Sequence, residues 1–539
     1  MREALALDPK NVIANRAVAM YYLLSNRPQD AEPHLKVVAD TSPGPEAKYY
    51  LAEYYMRTNR LDDAREILTP LAADDASFVD ATVRLARIDA MQKKNAEAYR
   101  LLEAALAREP KHTDALIVRG KLQLSEGNTI NALSSYQAAT EANPRSVEAR
   151  VGLAQTYALR GAYKEATAAF NEAMNLNPSH VDARIGLAKV HIETGAAAEG
   201  VPLLLQVVEQ QPQHVEARLL LAHGLMAAGD LPQATRQLNV LLANYPDSAA
   251  VNTAAGMLAT LKKDAAGARQ AYSRALSANP RSYQALAGML TAEMQDKQFG
   301  KARELIEKQL AKMPNDPNLL LMAAQTYDVL GDAFEMERAL KKTVEADPQS
   351  LQAYTLLGKM YYQQGRLDLA RRELEKYVET APMSVPGNTM LGTILELQGK
   401  KDEAKKRYGK ALQIDARAAV AANNLAWINA NTDDNLDMAL QLAQTAKAQL
   451  PSRHEIDDTL GWIYYKKGLS SMAVESLKTS TLKQPDNPLY NYHLALAYNQ
   501  SGNKVEARKH LEKALSTKKT FEGAEEARKL LESLGATER

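Results

Sequence analysis

Nine prolines, Pro110, Pro144, Pro178, Pro212, Pro246, Pro280, Pro314, Pro348 and Pro382, stand 34 residues apart without a slip. Pro9 and Pro43 carry the series upstream and Pro451 and Pro485 downstream, with Ala76 and Ala416 at the two vacant places. A constant period of this length is the mark of small, equal units stacked end to end rather than of one large core. Length alone, 539 residues, would have pointed to three or four separate domains. The period overrides it.

Units counted from three residues after each proline begin at 12, 45, 79, 113, 147, 181, 215, 249, 283, 317, 351, 385, 419, 454 and 488. Ala recurs at the twentieth place in 13 of these 15 units, among them Ala132, Ala166, Ala370 and Ala507, if the unit at 419 is allowed one extra residue. Four residues later stands a large apolar side chain, such as Leu102, Tyr136, Phe170, Tyr272, Leu374 or Leu511. Gly or Asn fills the fifteenth place in 11 units, including Asn59, Gly127, Gly161, Gly365 and Gly468. Places seven and eight hold pairs such as Leu153-Ala154, Leu357-Gly358, Leu391-Gly392 and Leu460-Gly461, with Tyr157, Tyr361 or Tyr464 three residues on.

Each column has a physical reason that predicts two helices per unit. The fifteenth place supplies the left-handed residue that ends a first helix. Small side chains at places eight and twenty let two helices approach, and the large one at place twenty-four fills the space beside that contact. The proline ends the second helix by withholding a donor and clashing with the preceding turn. Beyond it, Ser146, Ser282 and Ser350 are expected to cap the next helix. Asp114, Glu148, Asp182 and Glu216 place carboxylates in its first turn, where the dipole favours them.

These columns resemble the tetratricopeptide repeat, whose signature runs from a bulky residue through Leu-Gly and Tyr to Ala, Phe and Pro across 34 residues. The resemblance covers essentially the whole chain and implies an all-α fold, an α-solenoid coiled as a right-handed superhelix of about fifteen helix-turn-helix units. Two units depart from it: the one at 283 reads Gly288-Met289-Leu290 and carries Gln309 where a small residue is usual, and the one at 317 has Met336 for Ala. Both are expected to pack less regularly. Residues 1–11 align with the last third of a repeat, 12–521 hold the fifteen units, and 522–539 form an amphipathic helix suited to capping the stack. Because a half hairpin lacks its partner helix, we expect the chain to be a fragment or truncated product of a longer protein.

Chemistry has little room in such a chain. Cysteine is absent, which removes disulfides, thiol catalysis and Cys-based zinc sites. No phosphate loop, nucleophile elbow or HExxH helix occurs, so no catalytic residue, cofactor or metal is expected and the chain reads as a non-enzyme. His112, His180 and His214 follow successive repeat prolines and read as helix-entry residues, because equivalent atoms of neighbouring units lie about 10 Å apart and a structural zinc wants about four ligands. Carboxylate pairs such as Asp62-Asp63, Asp74-Asp75 and Asp433-Asp434 read as solvated turns. Lys plus Arg (66) balances Asp plus Glu (65), and the Lys400–Lys410 and Lys504–Lys519 stretches interleave acids, so neither nucleic acid nor a membrane surface is a natural partner. No apolar run approaches the length of a bilayer span.

What remains is a surface. The family resemblance implies that places two, five, nine, twelve and thirteen of each first helix face inward along a groove. The chain's two tryptophans, Trp427 and Trp462, both occupy place nine, in successive units. Asn423, Asn431, Asp458, Tyr465 and Tyr492 fall on neighbouring inward places, a mixture of rings and polar anchors typical of an interface hot spot. These seven are the expected partner-binding residues, for protein or peptide segments. Tyr21, Tyr22, Tyr49, Tyr50, Tyr54 and Tyr55 form a second cluster, read as core because Tyr22 and Tyr55 sit in the packing column. The chaperone-tail clamp of co-chaperone relatives is not matched, since Arg16 stands alone opposite Met20. Nor is the Asn-lined groove of glycosyltransferase relatives, for which only Asn424 is in place.

The last three units, NNLAWINANTDD, DTLGWIYYKKG and NYHLALAYNQSG, resemble the C-terminal end of bacterial repeat lipoproteins that accompany exosortase and exopolysaccharide systems. That resemblance implies a periplasm-facing place in the cell envelope, with a signal and lipid-anchored Cys upstream. It also implies a scaffolding role in polysaccharide export or surface sorting. A cytoplasmic regulatory adaptor, or the repeat portion of a larger enzyme, is the alternative.

Overall fold

In the computed structural model, residues 2–25, 27–432, 435–516 and 520–536 are described, and among them the chain forms 32 helices and no strand. First helices such as Val147–Leu159 and Val181–Glu193 alternate with second helices such as Tyr163–Leu176 and Ala197–Gln210, joined by tight turns. The fold is an all-α repeat stack, an α-solenoid. It divides into two compact units, Met1–Met289 and Leu290–Arg539. The division falls in the repeat that begins at 283, where Leu290 takes the place that Ala or Gly holds in every other repeat.

The turn between the helices needs one residue in the left-handed region. Gly127, Gly365 and Gly468 supply it at φ of 75°, 70° and 73°. Lys93, Lys263 and Lys297 adopt the same conformation at φ of 60°, 60° and 57°, so the repeat's geometry imposes the turn even where the sequence lacks the residue suited to it. Asn26 and the Asp433-Asp434 pair lie outside the described residues; the extra residue of that repeat is followed by Asn435 at φ 53°, which caps the helix Leu436–Gln449.

Helix entries follow the expected chemistry with one correction. Ser146 accepts from the Ala149 N–H, and the first-turn acids Asp114, Glu148, Asp182 and Glu216 are in place. Ser350 makes no cap bond, unlike Ser146 and Ser384. The Ser282 hydroxyl lies 3.2 Å from that of Thr253. His112, His180 and His214 are themselves caps, each accepting through Nδ1 from the N–H three residues on, at 3.2, 3.3 and 3.2 Å. The role requires the proton on Nε2.

The core repeats one motif. Ala at place twenty is fully buried in repeat after repeat, as at Ala132, Ala166, Ala370 and Ala507, against the large side chain at place twenty-four. Where that side chain is aromatic, glycines face it. The Tyr136 ring lies against both Gly120 and Gly152, Phe170 against Gly186, and Tyr272 against Gly256 and Gly288. Gly288, which looked like a departure in the sequence, is therefore the seat for a ring of the preceding repeat. Met336 and Leu290 are buried in their columns, whereas Gln309 buries a side-chain oxygen with no hydrogen-bond partner.

Two polar devices were invisible in the pattern. At place four, Asn15, Asn252, Asn388 and Asn491 each donate through Nδ2 to the carbonyl of the repeat proline six residues earlier, at 2.9, 2.6, 3.2 and 2.8 Å. Arg150 and Arg218 reach the corresponding carbonyls of Pro144 and Pro212. The Oδ1 atoms of Asn15 and Asn491 meet Nδ1 of His34 and His510 at 2.7 and 2.9 Å, so those rings donate from Nδ1. This latch satisfies a carbonyl of the turn between repeats that accepts no backbone N–H.

The second device joins repeats. Glu32 receives Lys36, Arg60 and the Tyr55 hydroxyl, and one junction in the other compact unit repeats the quartet with Glu337, Lys341, Arg366 and Tyr361. The Lys36 hydrogen bond, with those of Arg60 and Tyr55, outweighs burial and holds the Glu32 carboxyl down to about 2. At Glu337 burial pushes upward, yet the bonds from Lys341 and Tyr361 prevail and its pKa is lowered.

Candidate functional site

The helices Ala419–Asn431, His454–Lys466 and Pro488–Gln500 are the first helices of three successive repeats, and they carry all seven sequence-predicted residues. Trp427 and Trp462 lie side by side, ring centroids 6.5 Å apart, both half-buried. Trp462 is held on every side. Its indole N–H donates to Asn431 Oδ1 at 2.9 Å, its ring stacks on His493 at 4.4 Å and on Tyr465 at 5.2 Å, and the Lys466 ammonium sits 5.4 Å from its centroid. Trp427 meets His493 at 5.8 Å, and its indole N–H has no partner among the described residues. Four residues earlier on the same helix, Asn423 Oδ1 is also without a partner.

Beneath the rings lies a pair that sequence reading missed in half. Asp458 was named, but its partner His493 was not. The His493 Nδ1 stands 3.0 and 3.1 Å from the two carboxylate oxygens of Asp458, with both side chains buried. A buried carboxylate needs such a donor. The signal was present as an interval of 35, one more than the period, which sets place five of one repeat against place six of the next.

The seven residues therefore sort into a surface and its foundation. Trp427, Trp462, Tyr465, Asn423 and Asn431 are half-buried and reach solvent. Asp458 is buried against His493, and Tyr492 is buried with its ring 5.7 Å from Phe521 and against Gly523, whose φ of 90° lets the backbone turn over the ring. Both are thus buried, where the other five reach solvent. In the tyrosine cluster, Tyr54 and Tyr55 are core as expected, but Tyr21 and Tyr50 are 61% and 67% exposed.

Among the described residues no group of three or more His, Asp or Glu side chains is placed to hold a metal, and no helix is long and apolar enough to cross a membrane.

Comparison with family models agrees with the repeat architecture. Three family models described as tetratricopeptide repeat match the chain: one at residues 22–88, 158–211, 195–258 and 259–326, one at 117–176, 321–384 and 459–523, and one at 385–417. No curated protein sequence matches. Among solved structures, the APC/C hetero-tetramer Cut9-Hcn1 aligns over 97% of this chain and 96% of its own, at 14% identity and a TM-score of 0.38. Yeast Tom70 aligns over 80% and 97%, at 17% identity and 0.32. YrrB, described as a TPR protein with an unusual peptide-binding site, aligns over 34% and 96%, at 23% identity and 0.30. With repeat matches running through most of its length, the chain belongs to the tetratricopeptide-repeat family.

Proposed function

We propose that the chain is a non-catalytic scaffold that captures peptide or protein segments on the face of its first helices, with Trp427 as leading anchor and Trp462, Tyr465, Asn423 and Asn431 around it. The observation that carries this reading is the contrast between the two indoles. Trp462 is fully engaged, whereas Trp427 presents a half-buried ring whose indole N–H has no partner among the described residues. Trp462, locked by its neighbours, loses little entropy on binding, and a carbonyl of an incoming segment could accept from the Trp427 indole N–H. Asp458 and Tyr492 act as supports. Balanced charge favours a protein partner over nucleic acid.

The finer reading places the partner in a bacterial cell-envelope assembly for polysaccharide export or surface sorting; it rests on the resemblance of the last three repeats alone. The test uses the full chain as bait in its source cells, quantified by mass spectrometry. Trp427→Ala should lose the specific partners while its thermal melt stays that of the wild type. Undiminished capture would remove Trp427 from the site. A retained partner set with no envelope or surface-sorting proteins would remove the finer reading and leave the scaffold.

A further inference from the structure

At the other end of the chain, the first helices Val12–Leu24 and Glu46–Arg57 flank a cavity of about 430 Å³. Its floor is apolar and buried, made by Ala19, Val38, Ala47 and Tyr54, while on its walls Met20 and Tyr50 are 56% and 67% exposed. An apolar hollow with exposed apolar walls marks a docking place rather than ordinary surface. Three charged side chains line it. Glu53 is neutralised, both its oxygens lying 2.6 Å from Arg87. Arg16 and Arg57 are exposed and have no ion-pair or hydrogen-bond partner among the described residues. Sequence spacing showed Arg16 as solitary; the fold brings Arg57 from the next repeat to the same hollow.

We propose that this hollow binds a peptide segment of a partner protein in which one large aliphatic or aromatic side chain is flanked by Asp or Glu. The volume takes a side chain of that size together with part of its backbone, and the two unpaired guanidiniums select carboxylates beside it. A basic flank would meet two uncompensated positive charges, so the site discriminates by repulsion as well as by attraction. The proposal stands on residues remote in sequence from Trp427 and Trp462 and does not depend on them.

The test is selection of a random dodecapeptide phage library on the full chain, in parallel with Arg16→Glu/Arg57→Glu and Trp427→Ala variants, all checked for helicity. Selected peptides should carry an acid next to a large apolar residue. As synthetic fluorescein-labelled peptides they should bind the charge-reversed variant about tenfold more weakly or worse, bind Trp427→Ala unchanged, and weaken with added salt. Met20→Glu, which fills the hollow with charge, should also reduce binding. Enrichment of peptides without acids, equal binding to the charge-reversed variant, or no enrichment above an unrelated helical protein would each overturn the proposal. Peptides lost only with Trp427→Ala would report the other site and equally count against this one.

Discussion

The Tyr136 ring is wedged between two glycines of adjacent first helices, and Gly152→Ala tests whether that wedge sets the spacing of repeats. A methyl at Gly152 would stand 2.1, 2.4 and 2.6 Å from three carbons of the ring. That is about 1.4 Å closer than carbon–carbon contact at roughly 3.5 Å. The ring is 1% exposed and faces Gly120 on its other side, where a methyl would stand 2.8 Å away, so it has nowhere to retreat. In an unobstructed helix Gly→Ala gains about 0.5–1 kcal/mol. Here overpacking of about 1–3 kcal/mol opposes it, for a net loss of up to about 2.5 kcal/mol. Gly409→Ala, with nothing within 4 Å, is the control and should stabilise. Tyr136→Leu in the Gly152→Ala background should recover part of the loss, with a coupling of about 1 kcal/mol or more. Because repeat arrays unfold partly by neighbourhood, urea melts by circular dichroism should be paired with hydrogen exchange of the helices Val147–Leu159 and Thr129–Ala142. Stabilisation by Gly152→Ala, or strict additivity with Tyr136→Leu, would refute the reasoning.

The remaining predictions concern the turns, the latch and the junction. Lys263→Gly and Lys93→Gly should each stabilise by about 0.5–1 kcal/mol in urea melts by relieving a left-handed lysine, whereas Gly127→Ala should destabilise. Asn491→Ala, at a residue 1% exposed, should cost about 1–3 kcal/mol by orphaning the Pro485 carbonyl, and Asn491→Asp should not rescue it, since a carboxylate cannot donate. Glu32 titrates at about 2 when folded against about 4.3 in an unfolded chain, so its ion pairs contribute fully above about pH 4.3 and are lost as pH falls toward 2. The melting-temperature gap between wild type and Glu32→Gln should therefore be present at pH 6 and close between pH 4.3 and 2; a gap independent of pH would contradict the assignment.

What sequence made legible was the framework of turns and packed side chains that repeats in nearly every unit. Proline, the small residues at places eight and twenty and the large one at place twenty-four are constrained by the same contact in every unit, so repetition exposes them. What it concealed were contacts made at the period plus or minus a few residues. Asp458 meets His493 at an interval of 35, and Trp462 meets Asn431 at 31. Such pairs occur once and leave no column. Gly288 looked like a flaw for another reason: its partner, the Tyr272 ring, lies sixteen residues back in the previous repeat, as Tyr136 does for Gly152. The burial of Tyr492 had a different cause: the segment around Phe521 and Gly523 covers its ring, and period alone does not place that segment.

Near-identical units raise a problem of their own, since each core contact would serve almost any neighbour. The junction charges distinguish them. In the Glu32 and Glu337 quartets the acid lies on the second helix of one repeat and the arginine, Arg60 or Arg366, follows the turn of the next. At Arg303 and Asp332 the same two places carry the opposite signs, 2.6 Å apart. Exposed pairs of this kind add only about 0–1 kcal/mol each to stability. Their larger effect is on wrong pairings: a repeat ending in Glu32 or Glu337, set against the turn that carries Asp332, would oppose two acids, and Arg303 against Arg60 two bases. At these three junctions repulsion would disfavour docking of the wrong unit.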